Sequence, residues 1–258
     1  MLQLRRLAQA GFVLRGSGTA IVIDAFLSPR ADRLVAPRIA PSELAGLHAI
    51  LATHEHRDHL DLDALPGLAA ASLTARVIVP APIVERVAPL VAAERIVPAL
   101  VSEAISIGAA RITPVPARHG VKVADAYTFG QELSGGLHRY LGYVIELAGV
   151  RVYHAGDTIR YDGMAERLRE LRVDIALVPI NGRSAEREAR GLVGNLDHVA
   201  AADLAADAGI PALVPMHHDT IDGNTGSVPD LRAYARATHP GLRIVEIAPY
   251  GEIDWPGV

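Results

Sequence analysis

The sequence predicts an α/β protein with two sheets in the middle and helices outside. Three observations predict it. Short apolar runs of strand length recur from residue 12 to residue 247, helix-period segments lie between many of them, and the strand-like runs are grouped in both halves of the chain. A single parallel sheet wound by helices on both faces is the competing architecture, and periodicity alone does not separate the two. The 258 residues are expected to form one unit spanning 1–258, long enough to bury a sizeable core.

The elements follow in chain order. "FVLR" (12–15) and "AIVID" (20–24), separated by "GSGT", have the form of a hairpin. "HAILAT" (48–53) predicts a buried strand that ends at a histidine cluster. Further strands are expected at "ARVIVP" (75–80), "RITPVP" (111–116), "LGYVIELA" (141–148), "RVYHA" (151–155), "DIALVP" (174–179), "ALVPM" (212–216) and "RIVEI" (243–247). In "DGMAERLRELR" the apolar residues Met164, Leu168 and Leu171 lie at i, i+4 and i+7, one face of a helix. "LDHVAAADLAADAG" offers Asp197 as an N-cap, an alanine-rich body and Gly209 as a C-terminal stop. "PDLRAYARA" starts with a proline suited to a first helical turn.

Composition excludes several classes. With 50% hydrophobic and 21% charged residues the chain is too apolar for disorder, and the run from Ala64 to Ala75 falls short of the roughly 18 to 20 apolar residues of a membrane span. Residues 1–12 lack the apolar stretch of a secretory signal, so the cytoplasm is the expected compartment and no membrane partner is expected. No cysteine is present, which removes disulfides and thiolate ligands. A net charge of −4 without basic blocks, and 4% aromatic residues, give no basis for nucleic-acid binding.

Polar residues able to hold a metal recur where strands end. His54, His56, Asp58 and His59 follow "HAILAT"; His119 follows "RITPVP"; Asp157 lies in "YHAGDT" after a strand; His217 lies in "VPMHHD" after "ALVP". Aligned strands would bring these ends to one rim. Neutral imidazoles suit zinc, manganese or iron(II), and carboxylates balance a dication. One zinc ion takes about four ligands, so seven candidates suit two ions that share a carboxylate. Two ions roughly 3.5 to 4 Å apart can hold a hydroxide between them, the basis of hydrolysis. In H-x-H-x-D-H, His54 and His56 are two apart in an extended turn, with Asp58 and His59 expected on the first turn of a following helix. The zinc-protease pattern H-E-x-x-H is not met, because Asp58 stands where its second histidine would be. Taken singly, the cluster also reads as a solvated turn, His119 as a structural histidine and Asp157 as an Asx turn.

"THEHRDH" resembles the T-H-x-H-x-D-H signature of the metallo-β-lactamase fold superfamily, and "RHG", "AGDT" and "PMHHD" follow in the order of its remaining metal motifs. The resemblance runs from "IVIDAFLS" to "PYGEIDW". Within the superfamily, "IVIDAFLS", "RVYHAGDT", "NLDHVAAADLA" and "PMHHDTIDGN" are most similar to the L-ascorbate-6-phosphate lactonase-like metal-dependent hydrolases. The resemblance implies a four-layer αββα sandwich with two central mixed sheets. It implies His54, His56 and His119 on a first ion, Asp58, His59 and His217 on a second, and Asp157 between them, with His217 preferred to His218. Asp58 and Asp157 are then the catalytic carboxylates. Gln9 in "LAQAGFVL" departs from the pattern, since relatives commonly carry a histidine there; the seven ligands are unaffected.

The expected cofactors are two divalent ions, zinc or manganese, with iron also admitted by the donor set. The expected activity is hydrolysis by a metal-bridging hydroxide of a lactone or ester such as a sugar-phosphate lactone. A phosphodiesterase acting on phospholipid or nucleotide diesters is the alternative, and a non-catalytic metal-binding or redox protein a third reading. The partner is a small molecule, with anionic substrates favoured, and self-association is expected from the lactonase resemblance. Asn181, Arg118 and His218 are candidates for substrate contact, while His154 is expected to pack behind the ligands. Arg160, Arg183, Arg187 and Arg190 read either as anion binders or as an ion-paired surface.

Overall fold

In the computed structural model, which describes residues 1–101, 103–129 and 137–256, strand β3 (Thr19–Ile23) shows how the layers arise. Alternate side chains point to opposite faces of a strand. Ile21 and Ile23 join a core shared with Ile145 and Val152 of the second sheet, whereas Ala20 and Val22 pack on the other side with Leu65 and Leu68. Each aliphatic side chain so buried contributes about 1.5–3 kcal/mol.

The first sheet takes β1 (Leu2–Arg6), β2 (Phe12–Gly16), β3, β4 (Ala49–Leu51), β5 (Arg76–Pro80) and β6 (Ile96–Ala99). The second takes β7 (Ile105–Ile107), β8 (Ala110–Pro116), β9 (Leu141–Leu147), β10 (Val150–His154), β11 (Ile175–Pro179), β12 (Ala212–Met216) and β13 (Arg243–Ile244). Strand β14 (Glu252–Trp255) returns to the edge of the first sheet beside β1, giving the orders β14-β1-β2-β3-β4-β5-β6 and β13-β12-β11-β10-β9-β8-β7. Both sheets are mixed. In the first, pairing is antiparallel through β3 and parallel from β3 to β6; in the second, it is antiparallel through β10 and parallel from β10 to β13. Helix α1 (Leu65–Ala71), with the short α2 (Val84–Val87), covers the first sheet. Helices α3 (Met164–Glu170), α5 (His198–Asp207) and α6 (Val228–Thr238) cover the second; α4 (Ala185–Ala189) lies in the loop after β11. This is the metallo-β-lactamase fold, and the single parallel sheet with helices on both faces is set aside.

Local signals work as expected in several places. The β2–β3 hairpin closes on Ser17 and Gly18, both at positive φ (46° and 73°), the twist a two-residue turn needs. Asp197 caps α5 by accepting from the Ala200 amide at 2.8 Å, and Gly209 ends it at φ 71°. Two expectations change. The run "RIVEI" is a strand only over Arg243–Ile244, although Val245 and Ile247 stay buried. Asp58 and His59 lie in a turn and not on a helix: the His59 and Leu60 amides both donate to the His56 carbonyl (2.9 and 2.8 Å), and α1 starts only at Leu65. Asp61 explains the redirection. Its carboxylate accepts from the Leu27, Ser28 and Ala64 amides and the Ser28 hydroxyl, pinning this turn to the loop after β3.

No helix among the described residues is long and apolar enough to cross a membrane.

Candidate metal centre

Parallel strands deliver their carboxyl ends to one rim, where open sheets gather ligands. The loop after β4 carries His54, His56, Asp58 and His59; those after β8, β10 and β12 carry His119, Asp157 and His217. The structure brings all seven together. Their ligand atoms form two groups, His54–His56–His119–Asp157 and Asp58–His59–His217.

Distances test whether a cation fits. Donors about 2.0–2.2 Å from one ion lie roughly 3.0–3.5 Å from one another. In the first group His54 Nε2 is 3.0 Å from His56 Nδ1, His119 Nε2 is 3.3 Å from that same atom, and Asp157 Oδ2 is 3.5 Å from His119 Nε2. In the second, Asp58 Oδ2 is 3.2 Å from His217 Nε2 and 3.7 Å from His59 Nε2. Asp157 reaches this group as well: Oδ1 is 3.2 Å from His59 Nε2, and Oδ2 is 3.4 Å from His217 Nε2. His59 Nε2 and Asp157 Oδ1 are buried, and neither has a hydrogen-bond partner. Buried polar atoms converging in this way suit divalent ions held by nitrogen and oxygen, with Asp157 between them.

The two groups differ in charge. Burial pushes His119 down to about 3, and lowers His54 and His56 as well, so these rings are neutral and offer lone pairs. Burial also opposes charge on His59 and His217, but the surrounding carboxylates, Asp157 foremost, raise both. Burial likewise opposes ionised Asp58 and Asp157, yet the neighbouring imidazoles hold both well below the usual carboxylate range.

Supporting residues fix the rings. The Thr53 hydroxyl donates to Asp24 Oδ2 at 2.7 Å and lies 3.0 Å from His54 Nδ1. Asp24 Oδ2 is also 2.7 Å from His59 Nδ1. With protons on both Nδ1 atoms, each Nε2 faces the metal group, an arrangement that raises ligand basicity. His154 is buried with both nitrogens engaged, Nε2 on the Ala10 carbonyl (2.7 Å) and Nδ1 accepting from the Gly156 amide (3.2 Å). Asp24 and His217 directly follow β3 and β12, Gln9 lies in the turn after β1, and all three are at positive φ (49°, 56° and 54°). Non-glycine residues rarely adopt this conformation, so backbone strain is present at three positions of the site.

Sequence reasoning missed Asp24 and Gln9. An acidic residue closing the apolar run "AIVID" was the available signal for Asp24. Gln9, set apart from the ligands on sequence grounds, places its amide nitrogen 2.8 Å from Asp58 Oδ2 and 2.9 Å from His217 Nε2.

A cleft of about 250 Å³ opens on both groups. Arg30, Arg57, Leu192, Val193, Ile221 and Asn224 line it together with His56, Asp58, His119, Asp157 and His217. The proposed substrate residues Asn181, Arg118 and His218 are not part of this lining. Asn181 is turned inward to Asn224 (2.7 Å) and Asn195 (3.2 Å); the Arg118 guanidinium stacks on Phe129; His218 is buried behind its neighbour. Of the other candidate arginines, Arg160 pairs with Asp207, Arg183 lies over Tyr127, and Arg187 donates to the Gly182 and Thr225 carbonyls.

Two mixed seven-stranded sheets carrying a rim of histidine and aspartate donors define a metallo-β-lactamase-fold protein with a candidate metal centre. The chain belongs to the family described as "Beta-lactamase superfamily domain", whose model matches residues 19–218. It is 28% identical to the "UPF0173 metal-dependent hydrolase" of Methanoculleus marisnigri over 98% of this chain and 96% of that protein. It is 29% identical to the protein of the same name from Thermococcus onnurineus, over 85% of this chain and 86% of the other. Among solved structures, Igni18, a metallo hydrolase from Ignicoccus hospitalis, superposes with a TM-score of 0.74 at 19% identity, covering 98% of this chain and 97% of its own.

Proposed function

We propose that this protein is a metal-dependent hydrolase that opens a lactone or ester in a small anionic molecule. One observation carries the reading: donors from four separate loops converge in two groups on a single cleft, with Asp157 within 3.5 Å of donors in both. When bound, a pair of divalent ions supplies an acidified water near pH 7 and Lewis-acid polarisation of the scissile carbonyl.

The chain's own groups supply the rest. Asp24 and Thr53 hold His59 and His54 in the tautomers that point Nε2 at the cleft. The Asp58 side chain, 16% exposed against 6% for Asp157, is the carboxylate better placed to take up a proton as water attacks. Arg30 and Arg57, each also paired with an aspartate (Asp32 and Asp63), place guanidinium forks at the mouth suited to a phosphate or carboxylate on the substrate. Leu192, Val193 and Ile221 form an apolar wall that limits water around the reacting group. The motif resemblance to lactonase-like relatives and the small cleft favour a sugar-phosphate lactone over a phospholipid or nucleotide diester.

The test is a substrate panel with protein loaded with manganese or zinc: a sugar-phosphate lactone, a neutral lactone and a generic phosphodiester. Turnover of the phosphorylated lactone, lost on chelation and in Asp157→Asn, is the expected result. Preference for the phosphodiester, or inactivity on all three with metal bound, overturns it.

A further inference from the structure

Three asparagines meet where the loop after β11 passes the loop after β12. Asn195 and Asn181 are buried, whereas Asn224 is half-buried and lines the cleft. Their side chains form a chain: Asn195 Nδ2 donates to Asn181 Oδ1 at 3.2 Å, and Asn181 Nδ2 donates to Asn224 Oδ1 at 2.7 Å. Backbone bonds set the first two face to face. The Asn195 amide donates to the Gly182 carbonyl (3.1 Å) and the Gly182 amide to the Leu196 carbonyl (2.9 Å). Gly226 lets the third segment close on them, since a Cβ there would lie 2.3 Å from the Ile180 carbonyl oxygen.

The chain has a direction. An amide oxygen only accepts and an amide nitrogen only donates, so the network decides which end of each side chain lies where. As it stands, Asn195 Oδ1 is buried without a partner. Turning all three amides round keeps both bonds but puts an NH2 group, with two hydrogens to satisfy, in that buried place. Orphaned N–H groups are rarer in proteins than under-satisfied carbonyl oxygens, which favours the direction observed. Asn224 Oδ1 is thereby committed inward, and its Nδ2 is the free end; among the described residues no hydrogen bond uses it.

The loop that carries Asn224 is held without this network. The Asn224 amide donates to the Ile221 carbonyl (3.1 Å), the Asp222 amide to the Asp32 carbonyl (2.9 Å) and the Gly226 amide to the His218 carbonyl (2.9 Å), while Arg187 donates to the Thr225 carbonyl (2.6 Å). Burying two further amides costs desolvation. What they add is a fixed orientation for one side chain at the cleft.

We propose that Asn224 Nδ2 donates a hydrogen bond to a hydroxyl of the substrate, with Asn181 and Asn195 as positioning residues behind it. This rests on the lactone reading given above. There the arginines take the anionic group and the metal centre takes the scissile carbonyl, so ring hydroxyls are the polar groups of a sugar-phosphate lactone left to recognise. A neutral N–H suits a neutral acceptor, and a site built to pair a hydroxyl disfavours the analogue that lacks it.

Metal-loaded full-length protein is assayed on a phosphorylated sugar lactone and on the same lactone without its ring hydroxyls, as wild type, Asn224→Asp and Asn181→Ala. The quantity read is the ratio of kcat/KM for the two substrates. Asn224→Asp keeps an oxygen for the Asn181 N–H and loses the donor, so the ratio is expected to fall about 3–10-fold, the value of one neutral hydrogen bond. The new charge acts on both substrates and cancels in the ratio. Asn181→Ala frees the Asn224 amide to turn, and the ratio is expected to fall there as well; a merely structural role lowers both substrates alike and leaves it unchanged. In ¹⁵N-labelled wild type without substrate, the Asn224 side-chain N–H protons are expected to exchange with water while those of Asn181 and Asn195 are protected. A ratio unchanged in Asn224→Asp, or protected Asn224 protons, overturns the contact alone; a ratio unchanged only in Asn181→Ala overturns the positioning role. Wild type inactive on both lactones overturns the lactone reading and the contact with it. Circular dichroism of each variant separates lost recognition from lost fold.

Discussion

Asp24 Oδ2 lies 2.7 Å from His59 Nδ1, and both side chains are fully buried. The carboxylate also accepts from the Thr53 amide and hydroxyl, at 2.8 and 2.7 Å, so one residue after β3 fixes the loop after β4 and the ring that faces the cleft. The metal group is thus assembled by a contact between two strand ends before any donor meets an ion.

Asp24→Asn keeps the volume but presents an N–H where two donors now point. Metal affinity of the Asp58–His59–His217 group should fall about 10–100-fold, with turnover falling alongside it. Calorimetric titration with Mn²⁺ checks this; affinity equal to wild type would show that His59 needs no such anchor.

Chelation should lower thermal stability. Asp24, Asp58 and Asp157 gather buried carboxylates around the same few ångströms. Any ligand bound only by the folded state stabilises it, by about 2.7 kcal/mol at a free concentration 100 times its Kd. For a chain of this size that corresponds to a melting point about 5–10 °C lower after metal removal. Scanning calorimetry with and without a chelator reads it directly, and identical melting points would count against tight binding.

The sequence exposes what depends on neighbours in the chain and hides what depends on distant ones. Strands β3, β11 and β12 are legible because their apolar runs are continuous. β1 is hidden because its inward face includes Arg6, a buried cation made tolerable by Asp219 at 2.6 Å, 213 positions away. Helix α1 is hidden by Pro66 and Gly67 near its start. The seven donors were visible because each directly follows a strand-like run. Gln9 was not, since what makes it part of the centre is its contact with Asp58, 49 positions on, and with His217. Arg30 and Arg57 lie in loops whose path no periodicity describes, so nothing in the sequence pointed to them as part of the cleft lining.

Gly156→Ala should damage the centre without touching a donor. A Cβ there would lie 2.8 Å from the Leu141 carbonyl oxygen and 2.8 Å from Thr53 Cβ, and the backbone is at φ +59°. Backbone strain of this kind costs about 1–3 kcal/mol. Relief requires moving the loop that carries Asp157 or the turn that carries Thr53 and His54. Both lower stability and reduced metal content are expected, measured by denaturant unfolding and elemental analysis. Wild-type metal content in a destabilised variant would place the strain away from Asp157.

Arg30 and Arg57 offer the sharpest test of substrate charge. Arg57 pairs with the well-exposed Asp63 at 2.8 Å and Arg30 with the partly exposed Asp32 at 2.6 Å, and surface pairs contribute only about 0–1 kcal/mol to folding. Removing the guanidinium charge should therefore leave stability nearly unchanged. If these arginines bind a phosphate or carboxylate that takes no part in bond breaking, the loss falls on ground-state and transition-state binding alike. For Arg57→Gln and Arg30→Gln, KM for a phosphorylated lactone should rise about tenfold with kcat nearly constant, equivalent to about 1.4 kcal/mol of binding. A neutral lactone should show no change, because it has nothing for either guanidinium to hold. Equal losses on both substrates would mean that the arginines shape the cleft and do not read charge, and the anionic substrate class would have to be abandoned.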